Sequence, residues 1–192
     1  MPPPSDMAPK PKSGVPGWAK WVIGCGAMLM CCCPIGGAIL FPVFSQAKLA
    51  AKSKQSMGNM KGVVVAWNLY CADFDDISCP QEGWNDNVRK YFLDVNFDRL
   101  KDPLLPTKGE QLGYGMNREV ALQKVANFKD PSNVVILALT TTPGKDANVT
   151  KETLRKASQR PFRTIWATAD GAVKKALIDE AQRLQWKPVI SK

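Results

Sequence analysis

Residues 45–74 read SQAKLAAKSKQSMGNMKGVVVAWNLYCADF, and how this stretch folds decides what the rest of the chain must cover. Met57, Met60, Val64, Trp67, Cys71 and Phe74 recur at spacings of 3, 4, 3, 4 and 3, which is one apolar stripe along a helix. Lys52, Lys54 and Lys61 fall off that stripe. The spacing predicts a helical spine over 45–74 whose striped face packs on a sheet, as core and not as a cofactor box. Gly58 and Gly62 each cost about 1 kcal/mol relative to alanine inside a helix. They mark a kink or a close contact with another subunit.

Upstream, residues 21–44 read WVIGCGAMLMCCCPIGGAILFPVF, with no charged side chain between Lys20 and Lys48. At about 1.5 Å per residue, a helix of this length reaches roughly 36 Å and crosses a hydrocarbon core of about 30 Å with some tilt. Cys31, Cys32 and Cys33 are adjacent, so on a helix their side chains diverge and cannot converge on one tetrahedral ion. There is no CxxC and no histidine in the chain, which argues against zinc and iron–sulfur sites. Adjacent cysteines also have poor geometry for bridging each other. As small apolar residues they suit a lipid-facing or closely packed helix, and Pro34 and Pro42 are tolerated there as bends. Gly24, Gly26, Gly36 and Gly37 permit close helix approach or are small filler. Lipidation at Cys25 is the rival reading, but in such signals the apolar region precedes the cysteine, whereas here it follows.

The 192 residues therefore divide into a Pro-rich disordered tail (1–20), a transmembrane helix (21–44), and one α+β domain (45–192) that begins with the spine. Net charge is +9. Removing the three lysines and one aspartate of the first 44 residues leaves 23 basic against 16 acidic side chains, or +7. The charges are scattered, with no Arg-rich helix, so a solvated surface is favoured over a nucleic-acid interface. Lys10, Lys12 and Lys20 precede the apolar run and Lys48, Lys52, Lys54 and Lys61 follow it, so charge alone leaves the orientation open.

Downstream, Trp84, Val88, Tyr91 and Phe92 predict a short amphipathic helix, and DPLLPTKGEQ (102–111) an irregular stretch. Strands are expected at GYGMN (113–117), VVILALT (134–140), and in FRTIWATA and AVKKAL on either side of Asp170-Gly171. Asp-Gly between two such runs signals a hairpin with both turn residues at positive φ. IDEAQRLQW reads as a closing helix. The expected architecture is a long N-terminal helix on a small antiparallel sheet.

No catalytic constellation emerges. Cys71, Asp73 and Asp75 lack a base, and the chain has no histidine to supply one. Asp73, Asp75 and Asp76 suit calcium by ligand type, yet they lack the spaced loop and distal glutamate of a calcium-binding hand. The competing reading is a helix-ending loop whose aspartates accept backbone hydrogen bonds. TPGKDANVT has Gly-Lys without the upstream glycine of a phosphate loop.

The segment ILFPVFSQAKLAAKSKQSMGNMKGVVVAWNLYCADFDDISCP resembles bacterial proteins of unknown function related to type IV pilins and type II secretion pseudopilins. Their helix reads approximately ILFPVFAQAREKARQ, then SNLKQ, then MYAQDYDE and a proline. Pro42, Asn59, Lys61, Tyr70, Asp73, Phe74, Asp75, Asp76 and Pro80 fall on those positions. GYGMN, with Tyr114 and Asn117, is similar to the family's SYGYN. PSNVVILA is similar to PAETVLLAD, and ATADGAVKKA, with Asp170 and Gly171, to FADGHVK. The likeness covers roughly residues 39–176. The chain departs from it at Gly17-Trp18-Ala19-Lys20-Trp21-Val22, where prepilins have glycine followed by FTLIE, and at Arg160, where the family has histidine.

The resemblance implies a non-catalytic, membrane-anchored subunit of an envelope assembly, partnered by lipid and by other pilin-like subunits or secretion components. It also implies a cytoplasmic N-terminus and a domain outside the cytoplasmic membrane. In that disulfide-permissive space a Cys71–Cys79 bridge is allowed by the spacing, against two buried free thiols. The alternative function is a basic envelope domain that captures DNA or an acidic glycan, with DNA affinity falling steeply with salt.

Overall fold

The computed structural model describes residues 16–92, 101–105, 112–157 and 163–191; within the first helix the side chains of residues 23 and 25–42 lie outside that description. Most of the expected tail, residues 1–15, also lies outside it. Helix α1 runs Gly17–Asp73, so its start precedes the expected one at Trp21. Pro16 stands just before the first turn, where its fixed φ suits a helix start, and its carbonyl accepts from the Ala19 N–H at 2.9 Å.

The chain divides into two compact units, Met1–Gln46 and Ala47–Lys192. In the first, Trp18, Trp21, Val22, Val43 and Phe44 are all exposed. Among the described residues no helix is long and apolar enough to cross a membrane. The stretch on which that expectation rests, 21–44, lies for the most part on side chains that are not described.

The second unit is α+β. Its share of α1 opens on good helix formers, Ala47, Lys48, Leu49, Ala50, Ala51 and Lys52, and then turns a packed face inward. Met60, Val63, Val64, Trp67 and Cys71 are buried on that face. Ser53 and Ser56 are buried too, each tied across the core: Ser53 Oγ donates to the Ala157 carbonyl at 3.3 Å, and the Ser56 carbonyl accepts from Tyr114 Oη at 3.1 Å. The β-branched run Val63–Val65 is a poor helix sequence, and burial of its first two members offsets that.

After α1 come the short helix α2 (Trp84–Arg89), with Trp84 and Val88 buried, and four strands: β1 (Tyr114–Met116), β2 (Val135–Leu139), β3 (Arg163–Thr168) and β4 (Val173–Leu177). They form one sheet in the order β1-β2-β3-β4, every neighbouring pair antiparallel. Helix α3 (Ile178–Arg183) follows directly.

Both faces of the sheet are covered. Ile165 and Ala167 of β3 join the cluster around Met60, Val64 and Trp67 of α1, whereas Trp166 joins a second cluster with Val135, Ala138, Val149, Ala181 and Trp186. That is the two-residue alternation of a strand. A register shift between Val135 and Leu137 places Ile136 and Leu137 in the same α1-side cluster. Strand β4 is an edge, and it exposes Lys174, the kind of side chain that blunts unwanted strand pairing.

Candidate functional site

The motifs singled out in the sequence gather at three places. The first is the C-terminal end of α1. Residues 74–76 leave the helix through a left-handed turn, with Asp75 at φ 54° and Asp76 at φ 62°. The Asp76 N–H reaches back five residues to the Cys71 carbonyl at 2.8 Å, the closing bond of a Schellman-type cap. Glycine usually occupies such positions; aspartate is among the few other residues that tolerate them. The aspartates therefore end the helix by their backbone conformation, which differs from the expected role as acceptors of backbone bonds.

Downstream the chain is pinned. The Asp76 carbonyl accepts from Val125 N at 2.8 Å, and buried Ser78 bonds with Gln123 and Val120. Phe74, expected in the core stripe, is 50% exposed, because the helix stops one residue before it. Its ring stacks on Tyr70 at a centroid separation of 4.4 Å, and Tyr91 meets Tyr70 edge-on at 6.1 Å. Tyr91 Oη donates to Asp73 Oδ2 at 2.8 Å. Partial burial first, and then this bond to a carboxylate, raise the Tyr91 phenol above its ordinary value.

Asp73, Asp75 and Asp76 are exposed. Among the described residues no group of three or more His, Cys, Asp or Glu side chains is arranged to hold a metal ion. Asp73 is turned to Tyr91, so the trio does not form a convergent calcium shell.

Cys71 and Cys79 are both buried and both free. Burial pushes each thiol up to about 12, helped at Cys71 by the Asp76 carboxylate and at Cys79 by Cys71 itself. Cys79 Sγ lies 3.4 Å from Met116 Sδ in a setting of soft, apolar atoms. A thiol held protonated in this way is inert as a nucleophile at neutral pH.

The second place is the GYGMN strand. Tyr114 is fully buried and binds α1 through its hydroxyl. Asn117 is a four-way tie. Its side-chain amide donates to the carbonyls of Val135 at 2.7 Å and Trp186 at 2.8 Å, its side-chain oxygen accepts from Glu119 N at 3.1 Å, and its backbone N–H reaches Ile136 O at 2.8 Å. Gly115 leaves no room for a side chain: a Cβ there would lie 2.8 Å from the Asn148 backbone.

The third is the β3–β4 turn. Asp170 Oδ1 accepts from Thr168 Oγ1 at 2.6 Å and from Ala172 N at 3.1 Å, while Gly171 sits at φ 87°. Asp170 is not at positive φ, which corrects the expected two-residue turn. The Thr168 N–H bonds to Ala172 O at 3.0 Å, so three residues form the loop and only the last needs the left-handed region.

The remaining motif residues are separate from these. Asn59 Nδ2 donates to Lys101 O at 2.7 Å, Lys61 is exposed, and Pro80 is half-buried. The side chain of Pro42, Arg160 and residues 106–111 lie outside the described residues.

Sequence reasoning missed one feature of weight. Asp102, whose side chain is fully buried, forms an ion pair with Arg155, and Asp102 Oδ1 also accepts from Leu104 N at 3.1 Å. Burial lowers the Arg155 guanidinium to about 10, which leaves it charged at neutral pH. The charges stand 53 positions apart in regions without helical or strand periodicity, so no spacing rule pairs them.

Comparison of the chain with protein-family profiles, with curated proteins and with solved structures finds no match in any of the three.

Proposed function

We propose that this chain is a non-catalytic, membrane-anchored and pilin-like structural or interaction subunit of a bacterial envelope or secretion assembly. The observation that carries this reading is α1. It is a 57-residue helix, and its N-terminal part exposes Trp18, Trp21, Val22, Val43 and Phe44 around a charge-free run. Trp18 and Trp21 are 71% and 83% exposed. Exposed large apolar side chains at both ends of such a run have a natural solvent in lipid, with the tryptophans at the headgroup level.

The motif residues support a structural role. Tyr114, Asn117 and Asp170 spend their side-chain polar atoms on ties within the fold. The two thiols at the end of α1 are held protonated by burial. Extraction of native membranes with alkaline carbonate tests the anchor. The expected result is that the protein stays with the membrane pellet and leaves only with detergent; release into the carbonate supernatant overturns the reading.

A further inference from the structure

We infer that Lys48, Lys52 and Lys54 form a collar that binds anionic phospholipid headgroups and seats the second unit on the bilayer surface. This rests on the anchor reading above and adds the lipid class and the residues that recognise it.

The argument begins with charge. Between Lys20 and Asp73, α1 carries no carboxylate, yet it carries Lys48, Lys52, Lys54 and Lys61. Lys48 and Lys54 are exposed and Lys52 is half-buried, and none of the three has an acidic partner among the described residues. At 100° per residue, Lys48 and Lys52 fall on one flank of the packed face and Lys54 on the other. Together they span about 160° of the helix surface, on the side turned away from the packed face. Asp102, on loop 101–105, is committed to Arg155.

Distance selects which lysines take part. Counted from Phe44 along α1, Lys48 lies about 6 Å on, Lys52 about 12 Å, Lys54 about 15 Å and Lys61 about 25 Å. Headgroups extend roughly 6 Å beyond the hydrocarbon edge, and the field of an anionic surface decays over about 8–10 Å at physiological salt. Lys48 therefore lies within the headgroup layer, and Lys52 and Lys54 lie within one screening length of it. Lys61 lies beyond.

The test is lysine footprinting of the full chain reconstituted into vesicles of phosphatidylcholine alone or of phosphatidylcholine with phosphatidylglycerol. A membrane-impermeant acetylating reagent is applied and read by mass spectrometry after flotation. Labelling of Lys48, Lys52 and Lys54 is expected to fall about threefold or more in the anionic vesicles and to recover with added salt. Lys61 and the exposed Lys90, which follows α2, are expected to label equally in both. Protein that floats with both vesicles but labels equally at all five lysines overturns the collar and leaves the anchor standing. Equal protection by inorganic phosphate over zwitterionic vesicles also overturns it, since the site would then recognise a free anion and not a surface. Protein that does not float overturns the anchor and the collar with it.

Discussion

A thiol that must lose its protons inside an apolar core is a poor nucleophile, and Cys71 and Cys79 are both so placed. With both pushed up to about 12, the native thiolate fraction at pH 8 is roughly a thousandfold or more below that of a free cysteine. Alkylation of Cys71 and Cys79 in the folded protein should be slower by at least that factor than in urea; labelling at the unfolded rate would contradict the packing described. The same shift fixes a sign. A folded pKa above the unfolded one contributes stability that is whole below about pH 9 and is lost as the pH climbs toward 12. Some of this was legible in the residues: Cys71 falls on the apolar stripe, and the stripe predicts its burial. Asn117 was legible only as a position similar to a family motif. Its work, bonding the carbonyls of residues 18 and 69 positions away, depends on strand pairing that no local spacing encodes.

At the scale of elements, helix α1 was the most readable because periodicity over about five turns leaves little choice. Its end was legible as a helix-ending loop at the aspartates, but their left-handed conformation was not, since no glycine announces it. Ser53 and Ser56 went unread for a related reason: hydroxyls inside a core face are legible only once Ala157 and Tyr114 supply partners. The β3–β4 hairpin was found from Asp-Gly, but its loop length was set by where strand pairing ends and not by the dipeptide. The Asp102–Arg155 pair clamps loop 101–105 to the segment before residue 157, and removing one member strands a buried charge. Arg155→Met alone should cost about 3–5 kcal/mol in urea unfolding, while Asp102→Leu combined with Arg155→Met should recover most of that loss. Equal losses in the single and double variants would show that the packing of Arg155, and not its charge, carries the effect.

For the whole molecule, the two units pose different physical problems. The second covers both faces of its sheet from its own chain, with α1 on one side and α3, Trp186 and residues 149–154 on the other. The first exposes tryptophan, valine and phenylalanine along a helix that lacks charge over residues 21–44, and lipid is the partner proposed for it. Hydrogen–deuterium exchange of the full chain in lipid nanodiscs tests that claim most directly. Backbone amides of residues 23–42 are expected to exchange about a hundredfold or more slowly than those of residues 47–52, which share the helix but lie outside the hydrocarbon core. Exchange of residues 23–42 as fast as residues 47–52 would contradict a membrane-embedded anchor.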